Sequence, residues 1–134
     1  MIFRDADGIT DPAELARRVI GDKETEARIL AGMIVEDGVL ELCAILELAD
    51  LFDPRHRAIL WAIRSLQKTG RSVDVLAVSD EIEMRDVEHG SHVSDHAGVA
   101  FIGGLVCDFR SYSSWLLVNT DLTWLRTLTA RRAA

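Results

Sequence analysis

Histidine and acidic side chains are concentrated in residues 86–98, and this is the stretch whose composition suggests a metal site. His92 and His96 are four residues apart and would share one face of a helix, which is a spacing that metal ligands use. His89 lies just before them, but the glycine and serine that follow it favour a loop. No neighbouring residue is suited to orient the imidazole rings. We therefore keep these three histidines as candidates only, and predict no metal and no cofactor.

Asp53 and His56 are the other side chains that could take part in acid–base chemistry. Asp53 precedes Pro54, and this pair is typical of a helix N-cap followed by the first helical residue. His56 lies on the inner edge of the same predicted helix, where histidines are usually buried and hydrogen-bonded. Glu24 and Glu26 fall in a first helical turn, where negative charge favours the helix dipole. We predict structural roles for all four side chains, and no catalytic residue.

Motifs that mark common enzyme classes are missing from the sequence. It contains no Gly-x-x-x-x-Gly-Lys-Ser/Thr phosphate loop and no Gly-x-Gly-x-x-Gly turn. It also contains no Cys-x-x-Cys pair, no His-Glu-x-x-His helix and no Gly-x-Ser-x-Gly elbow. The sequence therefore predicts a protein without enzymatic activity.

The composition indicates one acidic globular domain. The chain has 134 residues, 49% of them hydrophobic, and 15 Lys and Arg against 22 Asp and Glu leave a net charge of −7. This length suits one hydrophobic core, and the charge argues against a protein that mainly neutralises phosphates. No apolar run is long enough to span a membrane, and the acidic start is unlike a signal peptide. Since two cysteines make a poor disulfide framework, we expect reduced thiols and a cytoplasmic protein.

The elements that must position these side chains all have a helical period. Asp11-Pro12 and Asp53-Pro54 each mark a helix start, and no strand pattern is evident. The sequence predicts an all-α protein. Its predicted helices cover residues 11–20, 24–35, 39–48, 54–69, 75–85, 99–107 and 114–131.

The last predicted helix has two apolar faces, whereas a surface helix of a monomer needs only one. One face carries Trp115, Val118, Leu122 and Leu125, and the nearly opposite face carries Leu117, Trp124 and Leu128. Either the helix is fully buried in its own domain, or the second face meets another chain. The second alternative is favoured, because a terminal helix of a small domain is hard to bury on all sides.

Three short motifs between residues 24 and 83 occur together in one known family. They are a Glu-x-Glu helix start, a Phe-x-x-Pro-x-His-Arg helix opening and a Gly-x-x-Val-Asp turn. The corresponding residues are Glu24 and Glu26, Phe52 with Pro54-Arg55-His56-Arg57, and Gly70 with Val73-Asp74. The second motif has one residue fewer between Phe and Pro than the family's pattern. In this combination the sequence resembles the N-terminal domain of the DnaB-type hexameric replicative DNA helicase.

The resemblance implies a compact helical globule followed by a C-terminal helical hairpin. In the family, hairpins pair these domains into dimers, which assemble as a collar where primase and, in some systems, helicase loaders dock. The implied divisions are an N-terminal extension at 1–23, the globule at 24–85, a surface loop at 86–98 and the dimerising hairpin at 99–131.

The sequence also departs from the family's pattern. Loop 86–98 is longer than the usual Gly-Gly turn, and residues 108–114 replace the usual Asn-Thr-Pro hairpin tip. The helicase motor is missing, although a full-length parent would be an ATP-dependent DNA helicase. We therefore expect either an excised domain or a free-standing regulator of the helicase or primase.

Two sets of residues are predicted to contact partners. The predicted dimer interface consists of Phe101, Leu105, Leu117, Trp124 and Leu128, although the opposite face of the last helix could take this role instead. An aromatic side chain among cations is often important in a protein interface. The predicted partner-docking residues are Arg57, Trp61, Arg64 and Lys68. For Trp61, packing within the domain by cation–π contacts stays an equal alternative.

A small DNA-binding protein is the alternative function. Helices 54–69 and 75–85 would form a helix-turn-helix variant, supported by a group of cations. Those cations are Arg55, Arg57, Arg64, Lys68 and Arg71. The net negative charge and the acids of the would-be recognition helix oppose it, so we expect DNA binding to be weak and indirect at most.

Overall fold

The computed structural model describes residues 22–133, and within that range it contains six α-helices and no strand. The all-α prediction is confirmed. The helix predicted between Asp11 and Ile20 lies outside the described residues. The helices are α1 (Lys23–Val35), α2 (Asp37–Leu42), α3 (Pro54–Lys68), α4 (Val75–His89), α5 (Val99–Asp108) and α6 (Trp115–Ala133). Short 3-10 turns lie at Cys43–Ile45, Leu48–Asp50 and Val93–Asp95.

Aspartate side chains begin three of these helices. Asp22 accepts a hydrogen bond from the backbone N–H of Thr25 at the start of α1, and Asp74 accepts one from Ala77 at the start of α4. Asp53 accepts from the N–H of Arg55, with proline as the first residue of α3. The N-cap predicted for Asp53 is therefore confirmed, because its carboxylate satisfies an N–H that the helix itself leaves unpaired.

Two helix ends differ from the predictions. Helix α4 continues four residues beyond Arg85 and stops at Gly90, which adopts the left-handed conformation with φ of 64°. Acidic and glycine-rich composition suggested a loop here, but Gly90 is the first residue that provides a left-handed C-terminal cap.

The predicted helix 39–48 is α-helical only to Leu42 and then becomes 3-10. The guanidinium of Arg64 binds the carbonyls of Cys43 and Leu46 at 2.7 and 3.0 Å, and so replaces helical hydrogen bonds.

Helix α1 lies at the centre of the described fold. It packs against α2, α3, α5 and α6, and most of its residues from Ile29 to Met33 are completely buried. At Gly32 an added Cβ would lie 3.1 Å from both the Tyr112 ring and the Val39 side chain. Glycine therefore allows the chain after α5 to pass directly over α1.

The two C-terminal helices both pack on this centre. Helix α5 contacts α1 and α4, whereas α6 contacts α1, α2 and the turn Leu48–Asp50. The side chains of α6 that face inward are Val118, Leu122, Leu125 and Leu128. Residues 109–114 connect the two helices across Gly32, so that α1 serves as the common support of both.

Asp86 organises the segment predicted as a surface loop. Its carboxylate accepts hydrogen bonds from Ser91 Oγ at 2.6 Å, from the Val93 N–H at 3.1 Å and from the Ser94 N–H at 2.8 Å. These bonds fold the chain after α4 back against that helix, which the 3-10 turn at Val93–Asp95 also contacts. The segment is therefore an ordered connection that directs the chain into α5.

Several carboxylates in these caps and turns have lowered pKa values. The hydrogen bonds from Ser91 and Ser94 hold the pKa of Asp86 well below its usual range. Burial alone would raise the pKa of Asp53, but hydrogen bonds from the Arg55 side chain and backbone outweigh it and lower the pKa. A carboxyl group with a lowered pKa stabilises the fold above its unfolded pKa of about 4, and this contribution is lost as the pH falls.

We therefore predict that the free energy of unfolding is nearly constant from pH 7 to about 5 and declines below about pH 4. Asp86→Asn should lower the stability at pH 7 and flatten this acid dependence, because it removes the group with the largest lowering of pKa. Urea unfolding followed by circular dichroism over a pH series measures both effects. Asp95→Asn, at an exposed site, is the control, and equal acid dependence in Asp86→Asn and wild type would contradict the prediction.

Candidate functional site

The Glu26 carboxylate connects α1 to the start of α3. It is fully buried and accepts hydrogen bonds from the backbone N–H of Phe52 at 2.6 Å and of Asp53 at 3.3 Å. Phe52 binds Oε2, whereas Asp53 binds Oε1, and the Nδ1 of His56 lies 2.8 Å from that same Oε1. A buried carboxylate is stable only when several donors surround it, and these three groups provide that set. The pair Glu26–His56 is therefore a structural connection.

Arg55 and the aromatic ring of Phe101 lie beside this region. Arg55 pairs with Asp53 at 2.9 Å, and its guanidinium also lies 4.4 Å from the centre of the Phe101 ring. The same ring lies 6.0 Å from the imidazole of His56. Because the His56 side chain is only 3% exposed, a substrate has no access to it.

A second polar cluster holds α6 against α1. Arg28 binds both carboxylate oxygens of Asp121, at 2.6 and 3.0 Å, and the Tyr112 hydroxyl donates to Asp121 at 2.8 Å. Burial and this hydrogen bond raise the pKa of Tyr112. Trp124 donates its indole N–H to Asp22 at 3.0 Å. The cluster therefore fixes the linking segment and one turn of α6 on the central helix.

The five residues predicted to form the dimer interface occupy different environments. Leu128 is fully buried, and Trp124 has Asp22 and the Arg131 guanidinium as partners within the chain. Phe101 lies between Arg55 and His56, as described above. Leu105 lines a groove of about 360 Å³, and Leu117 is exposed. The structure does not bring them together as one exposed strip.

The exposed apolar surface of α6 lies instead at its first turn. Trp115, Leu116 and Leu117 are consecutive and are exposed by 61%, 64% and 47%. The helical wheel placed Trp115 on the same face as Val118, Leu122 and Leu125, which are buried, and it gives Leu116 no clear side. The missing signal is positional, since the exposure of this first turn depends on which other parts of the fold reach it.

The predicted docking residues are also divided between structural and exposed positions. Arg64 holds the carbonyls of the first 3-10 turn, and Trp61 is half-buried with the Arg85 guanidinium 5.5 Å from its ring centre. The cation–π contact left open for Trp61 is therefore present. Arg57 is exposed and reaches the Leu51 carbonyl at 3.4 Å, while Lys68 is exposed at the end of α3. Their role in docking stays a prediction.

The three candidate metal ligands follow one another around a turn. His89 is the last residue of α4, His92 precedes the 3-10 turn and His96 follows it. Across residues 22–133, no group of three or more His, Cys, Asp and Glu side chains has the arrangement of a metal site. In the same part of the chain, no helix has the length and apolar character needed to cross a bilayer.

The groove at Leu105 is the remaining concave feature of interest among the described residues. It runs between the start of α1 and the end of α5, and charged side chains of both signs line it beside apolar ones. The lining residues are Glu24, Ala27, Arg28, Leu105, Asp108, Phe109 and Arg110.

Comparison with protein families identifies this arrangement. Residues 21–108 match the model of the DnaB-like helicase N-terminal domain, which is about two thirds of the chain. The chain belongs to this family. The solved N-terminal domain of DnaB helicase from Mycobacterium tuberculosis has a similar fold, with a TM-score of 0.63 and 16% sequence identity. The match covers 85% of this chain and 74% of that one. No significant match to a curated protein was found.

The motifs that suggested a DnaB-like domain now have a structural explanation. The Glu-x-Glu motif supplies Glu26, and the helix opening supplies the Phe52 N–H and His56 that bind it. In the third motif, Gly70 has a φ of 71° after α3, and Asp74 caps α4. The motifs therefore specify how α1, α3 and α4 are joined.

The geometry around Glu26 predicts a large loss of stability when its charge is removed. Glu26→Gln should lower the free energy of unfolding by about 3 kcal/mol, because it leaves the donors of a buried pair poorly matched. Glu24→Gln is the matched control. Its side chain is exposed and has no bonding partner in the described structure, so the change should stay within about 0.5 kcal/mol. Denaturant unfolding measures both variants, and equal losses would contradict the structural role of Glu26.

Proposed function

We propose that the protein is a non-enzymatic interaction module of DNA replication. As a DnaB-like N-terminal domain it would associate with itself and dock a primase or a helicase loader, either within a helicase or as a free-standing regulator. Family membership supports the replication context. The observation that carries self-association is the exposed apolar turn Trp115–Leu117.

The proposed self-association surface has the chemistry that a symmetric contact requires. A two-fold contact repeats every side chain, so Trp115, Leu116 and Leu117 would contribute six large apolar groups. Complete burial of one such group contributes about 1.5–3 kcal/mol, before the cost of association. No charged residue lies among the three, so the contact brings no like charges together. This turn replaces Trp124 and Leu128 as the centre of the proposed interface.

The proposed docking of a replication partner rests on the exposed part of α3. Arg57 and Lys68 are exposed there, and Trp61 presents part of its ring between them. Aromatic and cationic side chains of this kind are common in protein interfaces. Arg64 leaves this set, because its guanidinium is used within the fold.

The structure gives little support to the DNA-binding alternative. Of the cations that favoured it, Arg55 pairs with Asp53, Arg71 pairs with Glu81, and Arg64 binds backbone carbonyls. The exposed face of α4 carries Asp80 and Glu83, which would repel phosphates in the major groove.

We predict that the wild-type chain is a dimer at tens of micromolar, and that Leu116→Glu with Leu117→Glu makes it monomeric. Each mutation occurs twice in a two-fold contact, so four carboxylates would enter an apolar interface. Light scattering measures the mass, and circular dichroism should show unchanged helicity. Ile45→Glu, which replaces another exposed apolar residue, is the control and should stay dimeric.

Two results would count against this interface. A wild-type chain that is monomeric at about 100 µM would remove the need for any self-association surface. A dimer that survives the double change in α6 would place the contact elsewhere. By contrast, Leu128→Glu should unfold the chain, because it places a charge at a fully buried position.

Partner docking is tested by capture from native cell extract with the tagged chain, followed by mass spectrometry. Recovery of helicase, primase or loader is expected, and Arg57→Glu with Lys68→Glu should reduce it. Fluorescence anisotropy with duplex DNA provides the contrast. A dissociation constant below about 10⁻⁷ M at physiological salt, tighter than non-specific binding, would favour the DNA-binding function instead.

A further inference from the structure

The outward face of α4 combines exposed apolar side chains with acids. Leu76, Met84 and Val87 are exposed by 65%, 55% and 86%. Leu76, Asp80, Glu83 and Val87 are separated by four, three and four residues, so they form one continuous seam along the helix. The seam therefore has an apolar residue at each end and two carboxylates in the middle.

Within residues 22–133, the acids of this seam have no structural role. Three other acids of the region do, since Asp74 caps α4, Glu81 binds Ser65 and Arg71, and Asp86 orders the following turn. Asp80, Glu83 and the adjacent Glu88 are exposed, and they have no hydrogen bond or ion pair within the described residues. These carboxylates are therefore available for ion pairs with a partner whose apolar side chains cover the exposed apolar residues beside them.

We propose that this face of α4 binds a cationic amphipathic helix of a partner protein. A second copy of the chain is a poor occupant, because a two-fold contact would bring the carboxylates of two Asp80 and two Glu83 together. Nucleic acid is repelled by the same charges. A partner helix with Lys or Arg opposite Asp80 and Glu83 would form ion pairs with them. Apolar residues of that helix would cover Leu76 and Val87 at the two ends of the seam.

The length of the seam defines the partner helix. Leu76 and Val87 are eleven residues apart, which corresponds to about 16 Å along the helix axis, or three turns. The partner therefore needs apolar residues at positions 1 and 12 and cations at positions 5 and 8. The flexible Met84 side chain flanks the seam and can adapt to different apolar residues.

The face lies on a different helix from Trp115–Leu117 and from the docking residues of α3. It extends the proposed function to a second partner contact and does not depend on self-association. Failure of this proposal would therefore leave the dimer unaffected, and the monomeric variant of α6 should still bind the partner helix.

Two alanine-based helical peptides of identical composition test the proposal with the full chain. One carries Leu at positions 1 and 12 and Lys at 5 and 8, and the other has the Leu and Lys positions exchanged. Fluorescence anisotropy at physiological salt should show that the first binds at least about tenfold more tightly. Amide NMR shifts on binding should be confined to α4. Equal binding of the two peptides, or shifts centred on α3 or α6, would overturn the proposal.

Charge-reversal variants provide the second measurement. Asp80→Lys with Glu83→Lys should weaken binding of the first peptide at least about tenfold. Glu41→Lys with Asp95→Lys changes the net charge equally at other exposed positions, and it should leave binding within about twofold. Equal weakening by both pairs would mean that the peptide responds to net charge alone, which contradicts a defined site on α4. Unchanged helicity in both pairs is checked by circular dichroism.

Discussion

The architecture depends on a carboxylate that has no access to water. Glu26 lies inside the domain, and its charge is tolerated only because two backbone N–H groups and His56 converge on it. Those donors belong to the start of α3, so the requirement to satisfy one buried group determines where α3 begins relative to α1. Helices α2, α5 and α6 also pack on α1, whereas α4 packs on α3 and α5. This requirement explains why separate short motifs, far apart in the sequence, occur together.

Local signals predicted much of the fold. Asp53-Pro54 identified the start of α3, and the helical period identified its extent, since both depend on residues close together in the chain. The predicted end of α4 at residue 85 was wrong. The acidic composition beyond it was taken to indicate a loop, although no residue before Gly90 provides a left-handed C-terminal cap. Composition describes average preference, whereas a helix stops where its last carbonyls find other partners.

The candidate interfaces were less predictable, because exposure depends on distant residues. Periodicity identified two apolar faces on α6, but it could not show that Leu128 is enclosed while Trp115 is open to solvent. Likewise, Arg64 looked available until the carbonyls of the 3-10 turn were positioned beside it. The carbonyls that occupy Arg64 lie about 20 residues away in the sequence, and the exposure of Trp115 and Leu128 depends on how the whole domain packs. A single sequence contains no direct record of such contacts.

The polar contacts of α6 also affect the order in which the domain assembles. Glu26 meets its partners across 26 to 30 residues, whereas the bonds from Arg28 and Asp22 to α6 close loops of 93 and 102 residues. The entropic cost of loop closure rises by about 0.6 kcal/mol for each doubling of loop length. This cost is therefore about 1 kcal/mol larger for docking of α6 than for the contact between α1 and α3. Helix α6 should therefore join a nucleus that already exists. In native-state hydrogen exchange its amides should open before those of α1, without unfolding of the whole domain.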